Sequence, residues 1–166
     1  MADLDAVLQS NRAAVDELIN TGEQAAGNWT TPRAPGKWSP QQVVEHVART
    51  YDEGAKTVKG VPNEFPTLPG FIKPIFRVLF FNRILKKNRF MNARTFKAFD
   101  PETGPTDPAA GKVRLEEAVS RFNDECRACG ETGSVMSGAF GRVGLADYIK
   151  FQELHTRHHR KQIPVN

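Results

Sequence analysis

The chain has 166 residues, of which 39% are hydrophobic, and its 23 basic and 19 acidic side chains give a net charge of +4. Such a length can bury a core of its own, and the hydrophobic content excludes a disordered protein. Two cysteines exclude a disulfide framework. The first residues lack a secretory signal pattern, and no apolar run approaches the roughly 20 residues that span a bilayer. We therefore expect a soluble, cytoplasmic protein with one domain over residues 1–166 and no stable membrane insertion.

Two long helices are predicted in the first third of the chain. Apolar residues recur at spacings of three and four over residues 3–26, which is the pattern of an amphipathic helix. The second helix begins after Ser39, a capping residue that is followed by proline and, three positions on, by Gln42, which completes a capping box. Trp38 is placed to pack on this helix as a hydrophobic staple, and the helix continues to about Lys59.

Two further long helices are predicted over residues 112–130 and 145–162 from the same periodicity. Between the second and third lies an irregular segment, residues 62–111, which is rich in proline and glycine at both ends and contains a short apolar helix over residues 75–87. No strand pattern is recognisable. The predicted fold class is therefore all-α: a four-helix bundle with a long crossover between helices 2 and 3.

The positive charge of the chain is concentrated in residues 65–99, which we call the basic Phe-rich segment. It contains no Asp or Glu but eight bases and eight of the eleven phenylalanines, whereas the rest of the chain has a net charge of −4. Its bases are Lys73, Arg77, Arg83, Lys86, Lys87, Arg89, Arg94 and Lys97. The segment could bind nucleic acid, lie on an anionic membrane, or form a lid or dimer surface. Its density of apolar residues argues against nucleic acid, and we favour the lid or dimer surface.

Three of the four histidines lie close together near the end of the chain. His155 and His159 are four residues apart, so their rings project from one face of a helix and can share a metal ion. His46 lies on the apolar stripe of the second helix, and all three are expected to face the interior. The alternative is a set of hydrogen-bonded core histidines, but burying three imidazoles without a shared partner is costly. We therefore predict a three-histidine metal site with an open fourth position.

Two motifs resemble those of the DinB-like superfamily. The second-helix motif is Gly36-Lys37-Trp38-Ser39-Pro40 followed by Glu45-His46-Val47, and the fourth-helix motif comprises Phe140-Gly141, Leu145 and residues 151–163. The resemblance implies a divalent metal, commonly nickel, zinc or iron, held by the residues matching His46, His155 and His159. It also implies chemistry with a low-molecular-weight thiol, since characterised members include thiol-dependent transferases and isomerases. It favours the lid interpretation and makes a homodimer plausible.

Five more residues are candidates for the surroundings of the metal. Gln162 could orient the ring of the second histidine of the pair, as the outer partners of metal-bound histidines do. His158 is displaced by about 60° around the helix, at the edge of the site or at an interface. Tyr148 and Gln152 could line a cavity, although helix packing explains them equally well. Glu45 faces sideways and is a weaker candidate for a general base. We assign no catalytic residue.

Cys126 and Cys129 form a Cys-x-x-Cys pair, which occurs in zinc and redox sites. No second cysteine pair exists, and no strand precedes this one as a thioredoxin-like site requires. Both sulfur atoms fall on the apolar stripe of the third helix, where cysteine serves as a small hydrophobic residue. We predict that they belong to the core.

Two classes of function fit these residues. The first is a metal-dependent enzyme, an S-transferase or hydrolase that activates a thiol or water, with the basic Phe-rich segment holding an anionic small-molecule substrate. The second is a non-catalytic, metal-stabilised bundle that binds a small apolar or anionic ligand or a protein partner. We favour the enzyme. Imidazole ligands suit zinc, nickel and iron alike, so these residues do not identify the metal.

Overall fold

A computed structural model describes residues 3–91 and 95–164, and these are mostly helical. The long helices are α1 (Leu4–Gln24), α2 (Pro40–Lys59), α5 (Pro108–Cys129) and α6 (Leu145–Arg160). Three consecutive helical pieces lie between α2 and α5, and we call them together the crossover helix: α3 (Lys73–Phe76), a π-helical stretch (Arg77–Asn82) and α4 (Arg83–Lys87). Single 3₁₀ turns occupy Ala26–Asn28 and Lys97–Phe99. The all-α prediction is thus broadly confirmed, and the predicted short helix is present.

The start of α2 follows the predicted capping box. The Ser39 backbone N–H donates to Oε1 of Gln42 at 3.0 Å, and Pro40 takes the first helical position, where its missing N–H costs nothing. The amide of Gln42 then donates to the Pro101 carbonyl at 2.9 Å, which ties the segment that precedes α5 to this helix. Gly60, in the left-handed conformation with φ of 78°, ends α2.

Helix α5 begins four residues earlier than predicted, at Pro108 instead of Lys112. Asp107 is the cap, since its Oδ1 accepts a hydrogen bond from the Ala110 N–H at 2.8 Å. The apolar periodicity starts only at Leu115, which is why the pattern alone placed this boundary too late.

The long helices pack in pairs: α2 packs mainly against α5, and α1 mainly against α6, with further contacts between α1 and α5 and between α2 and α6. Close approach of α2 to its neighbours depends on Gly54. A Cβ atom there would lie 2.8 Å from Nε2 of Gln152 and 3.2 Å from the ring of Phe122. The largest fully buried side chains include Leu18, Tyr51, Leu115, Phe122 and Ile149, so all four long helices contribute to one core.

A small β-hairpin precedes α6, and the prediction of no strand was wrong here. Strands β1 (Ser134–Ser137) and β2 (Gly141–Gly144) pair antiparallel, with Val135 opposite Val143 and both buried. Ser137 Oγ accepts hydrogen bonds from the N–H groups of Ala139 and Phe140, which shapes the turn. Strands of four residues that contain serine and glycine are too short for a recognisable alternation.

The two cysteines lie against the core, as predicted. Cys126 is fully buried, and the half-buried Cys129 packs against the same apolar cluster. None of the described helices combines the length and the apolarity that crossing a membrane requires.

Candidate metal centre

Three histidine side chains from α2 and α6 meet in the interior. His46, His155 and His159 are all buried, and one ring nitrogen of each lies within 4.8 Å of those of the other two. Nε2 of His155 is 3.3 Å from Nε2 of His46 and 3.0 Å from Nε2 of His159. The predicted clustering is therefore confirmed, and the three histidines could hold a metal ion.

The spacing of these nitrogen atoms suits a shared ion. Imidazole nitrogens bind zinc at about 2.05 Å, so two ligands of a tetrahedral site lie about 3.3 Å apart. The two Nε2 separations at His155 are close to this value.

Hydrogen bonds on the far side of two rings determine which nitrogen faces the centre. Nδ1 of His46 is 2.7 Å from the Phe99 carbonyl, and Nδ1 of His159 is 3.0 Å from Oε1 of Gln162. Because both oxygens accept hydrogen bonds, each Nδ1 carries the proton and each Nε2 presents a lone pair. Both lone pairs are directed toward Nε2 of His155, and a shared cation would satisfy them together.

The electrostatics of the pocket keep the rings neutral. Burial lowers the pKa of His46 to about 4, although the hydrogen bond to the Phe99 carbonyl opposes this shift. Burial also holds the pKa values of His155 and His159 well below the usual range, and the neighbouring histidines add to the effect. Neutral imidazole is the form that binds a metal.

Two aromatic side chains enclose the histidines, and the sequence pattern did not reveal either role. The ring of Trp38, predicted only as a staple, lies 4.6 Å from the ring of His46 and 5.8 Å from that of His159. Its Nε1–H donates to Asp100 Oδ1 at 2.9 Å. Phe90 packs edge-on to His155 at 4.9 Å. For Trp38, the sequence signal was its position beside the cap of the helix that carries His46. Nothing in the sequence distinguishes Phe90 from the other phenylalanines of the basic Phe-rich segment.

A cavity of about 710 Å³ adjoins the three histidines. Its walls are mainly aromatic and include Phe65, Phe76, Phe80, Phe90, Phe99 and Phe140. Most of these belong to the basic Phe-rich segment, as the lid interpretation expects. The bases that line the cavity in the described part of the chain are instead Arg33 and Lys37, from the connector between α1 and α2. The expectation that bases of the segment itself meet a bound anion stays a prediction.

The remaining candidates divide into two groups. Gln162, His158, Tyr148 and Gln152 all line the cavity. Gln162 bonds to His159 and its amide also donates to Nε2 of His158 at 3.2 Å. The amide of Gln152 donates to the Thr50 carbonyl at 3.2 Å, and burial raises the pKa of Tyr148.

Glu45 has a different environment. Its carboxylate forms ion pairs with Arg49 at 2.9 Å and with Arg114 at 3.2 Å. It is not among the described residues that line the cavity, so its contacts are those of a structural ion pair between α2 and α5.

Comparison with known protein families gives a match to the DinB superfamily over residues 3–163. The chain belongs to the DinB superfamily. Neither the curated proteins nor the solved structures give a match. The resemblance inferred from the two histidine motifs is confirmed, and in this DinB-superfamily chain those motifs supply the three clustered histidines.

Proposed function

We propose that this DinB-superfamily protein is a metal-dependent enzyme, of the thiol-dependent S-transferase or hydrolase type, in which His46, His155 and His159 hold a divalent ion. The observation that carries the proposal is the convergence of three buried Nε2 atoms beside a cavity large enough for a small molecule. When bound, a zinc, nickel or iron ion lowers the pKa of a thiol or water and so makes a nucleophile at neutral pH.

The residues around the histidines prepare the site for this role. The Phe99 carbonyl and Gln162 hold two rings in the tautomer whose Nε2 faces inward. Trp38 and Phe90 pack against the rings of His46 and His155, and such apolar surroundings strengthen electrostatic interactions inside the site. Three neutral ligands leave the full charge of the ion to act on the group that fills the remaining position.

The walls of the cavity support a substrate with an apolar part and an anionic part. Phenylalanine rings offer the apolar surface, and Arg33 and Lys37 offer positive charge at the same cavity. A low-molecular-weight thiol that carries carboxylates fits the charge, and an apolar electrophile fits the aromatic wall. The two free cysteines fit a reducing, cytoplasmic location, which we propose together with this chemistry.

We also interpret the four long helices as a four-helix bundle in which residues 60–107 form the long crossover. The paired packing of α2 with α5 and of α1 with α6 supports this topology. In such a bundle, metal ligands project inward from facing helices, as His46 on α2 and the histidine pair on α6 do here.

The first test is the metal content of the untagged protein by elemental analysis. We expect about one equivalent per chain in the wild type and its loss in His155→Ala. His158→Ala is the matched control, because His158 lies on the same helix and lines the same cavity but is outside the cluster of three. Metal loss in both variants, or no metal in the wild type after reconstitution, would overturn the site.

The second test is activity of the metal-loaded protein. Glutathione, mycothiol and bacillithiol are each offered with a model electrophile, and hydrolysis of model esters and amides is measured in parallel. Turnover that disappears in His155→Ala supports the enzyme. Stoichiometric metal without either reaction would favour the alternative, a metal-stabilised module that binds a small ligand or a protein partner.

A further inference from the structure

The crossover helix exposes an apolar stripe. Phe71, Ile75, Val78 and Leu79 are 79, 59, 58 and 62% exposed. Ile75, Val78 and Leu79 lie close together in the crossover helix, and Phe71 lies two residues before it begins. They are four of the eight large hydrophobic side chains that are exposed in residues 3–91 and 95–164. A contiguous apolar patch on a surface is typical of an interaction site.

This stripe is not needed to attach the helix to the protein. The opposite side carries Phe81 and Ile84, which are fully buried, and Phe76 and Phe80, which line the cavity. Phe81 packs on Phe140 and Phe151, with ring centroids 4.9 and 5.1 Å away. The helix is therefore apolar on two sides, of which only one serves the fold.

Exposed bases follow the stripe without partners. Arg83, Lys86, Lys87 and Arg89 are exposed, and in the described part of the chain none of them lies within ion-pair distance of a carboxylate. By contrast, Arg49, Arg114 and Arg121 all pair with acidic residues of α2. The absence of any acid from residues 65–99 leaves this positive charge uncompensated.

The positive surface continues beyond the crossover helix. A cleft at its end is lined by Asn88 and Arg89 together with Arg157, Arg160 and Lys161 of the α6 end. Glu17 also lines this cleft, and its carboxylate pairs with Arg157 at 2.7 Å and with Arg160 at 3.5 Å, so the uncompensated charge of the cleft is that of Arg89 and Lys161.

Charge distinguishes between two candidate occupants of this face, a second copy of the chain and an anionic membrane. A second copy of the chain on a two-fold axis would place the patch against itself and bring the unpaired bases together, which is unfavourable. An anionic lipid surface matches both features, because apolar side chains enter the boundary with the acyl chains while the bases contact the head groups. We propose that the crossover helix docks this protein peripherally on anionic membranes. This inference does not depend on the proposed metal chemistry.

The test is flotation of the full-length protein with vesicles of phosphatidylcholine alone and with about 30% phosphatidylglycerol. We expect binding to the anionic vesicles that weakens in high salt, and much less binding to the neutral ones. Val78→Asp combined with Leu79→Asp should abolish binding, and Lys86→Gln combined with Lys87→Gln should weaken it roughly tenfold or more. Val113→Asp, at an apolar residue of α5 that is 54% exposed, is the matched control and should bind like the wild type.

Circular dichroism and metal content, measured on every variant, separate loss of docking from loss of the fold. Light scattering of the wild type and of the Val78/Leu79 variant measures the oligomeric state. No flotation with anionic vesicles, or equal flotation with neutral ones, overturns the proposal. A dimer that the Val78/Leu79 substitutions dissociate, without vesicle binding by the wild type, overturns it in favour of a second copy.

Discussion

The indole of Trp38 lies over the imidazole of His46, with the ring centroids 4.6 Å apart and the planes at 39°. The same indole lies 5.8 Å from the ring of His159 at 30°. A tryptophan thus contacts ligand candidates on two different helices. This arrangement places a fluorophore next to the candidate metal centre.

Trp38 should report metal binding directly. Adding nickel or cobalt to metal-free protein is expected to quench the emission of Trp38, since paramagnetic ions quench an indole at short range. The measurement is a fluorescence titration, with Trp38→Phe leaving only the emission of Trp29. Quenching of equal size in Trp38→Phe, or in His155→Ala, would show that the ion binds elsewhere.

Gln162 is expected to control metal affinity through His159. Gln162→Leu removes the hydrogen-bond acceptor that lies 3.0 Å from Nδ1 of His159. Because the loss of such a partner typically weakens metal binding about 10- to 100-fold, we expect a loss of affinity in this range. Gln162→Glu keeps an acceptor at this position and should retain most of the affinity. Competition with a chromophoric chelator measures both, and Lys161→Leu is the control at the exposed neighbouring position. Equal affinity in Gln162→Leu and the wild type would exclude this role.

A buried hydrogen-bond network should contribute to stability without affecting the metal. The hydroxyl of Tyr51 donates to Asn11 Oδ1 at 2.7 Å and lies 2.9 Å from Thr156 Oγ1. Tyr51→Phe leaves the oxygen of Asn11 without this donor, so we expect the free energy of unfolding in urea to fall by about 1–3 kcal/mol. Metal content should not change.

The double variant of Asn11→Leu with Tyr51→Phe tests the reason for that loss. Removing both partners also removes the unsatisfied group, so the double variant should lose less stability than the two single variants added together. Strict additivity would contradict the network.

Cys126 should make the protein less stable in alkaline solution. Burial raises the pKa of its thiol to about 12 from an ordinary value of 9.0, so the unfolded chain ionises first as the pH rises. The stabilisation is complete below pH 9 and is progressively lost between pH 9 and 12. At pH 10 the loss in the free energy of unfolding is about 1 kcal/mol. Urea unfolding at pH 8 and pH 10 measures it. Cys126→Ala, although less stable at both pH values, should lose less stability between them, and an identical loss in the two proteins would refute the prediction.

Much of the helical framework could be predicted from local pattern. The capping box at Ser39 and Gln42 marked the start of α2, because the side chains that make it are three residues apart. The start of α5 at Pro108 was missed, because the proline-rich residues before this helix carry little periodicity. The hairpin of Val135 and Val143 was missed because its two strands are very short.

The sequence by itself determined that His46, His155 and His159 lie on inward faces of their helices, since helical periodicity is a local property that residue spacing encodes. Only the tertiary structure decided that the three Nε2 atoms converge, because that depends on how α2 packs near α6. It also decided that the carbonyl of Phe99 orients His46, and that phenylalanines of the basic Phe-rich segment wall the cavity while Arg83, Lys86, Lys87 and Arg89 are exposed. A backbone carbonyl is the same in every residue, so no sequence pattern distinguishes the one that meets an imidazole from those that do not.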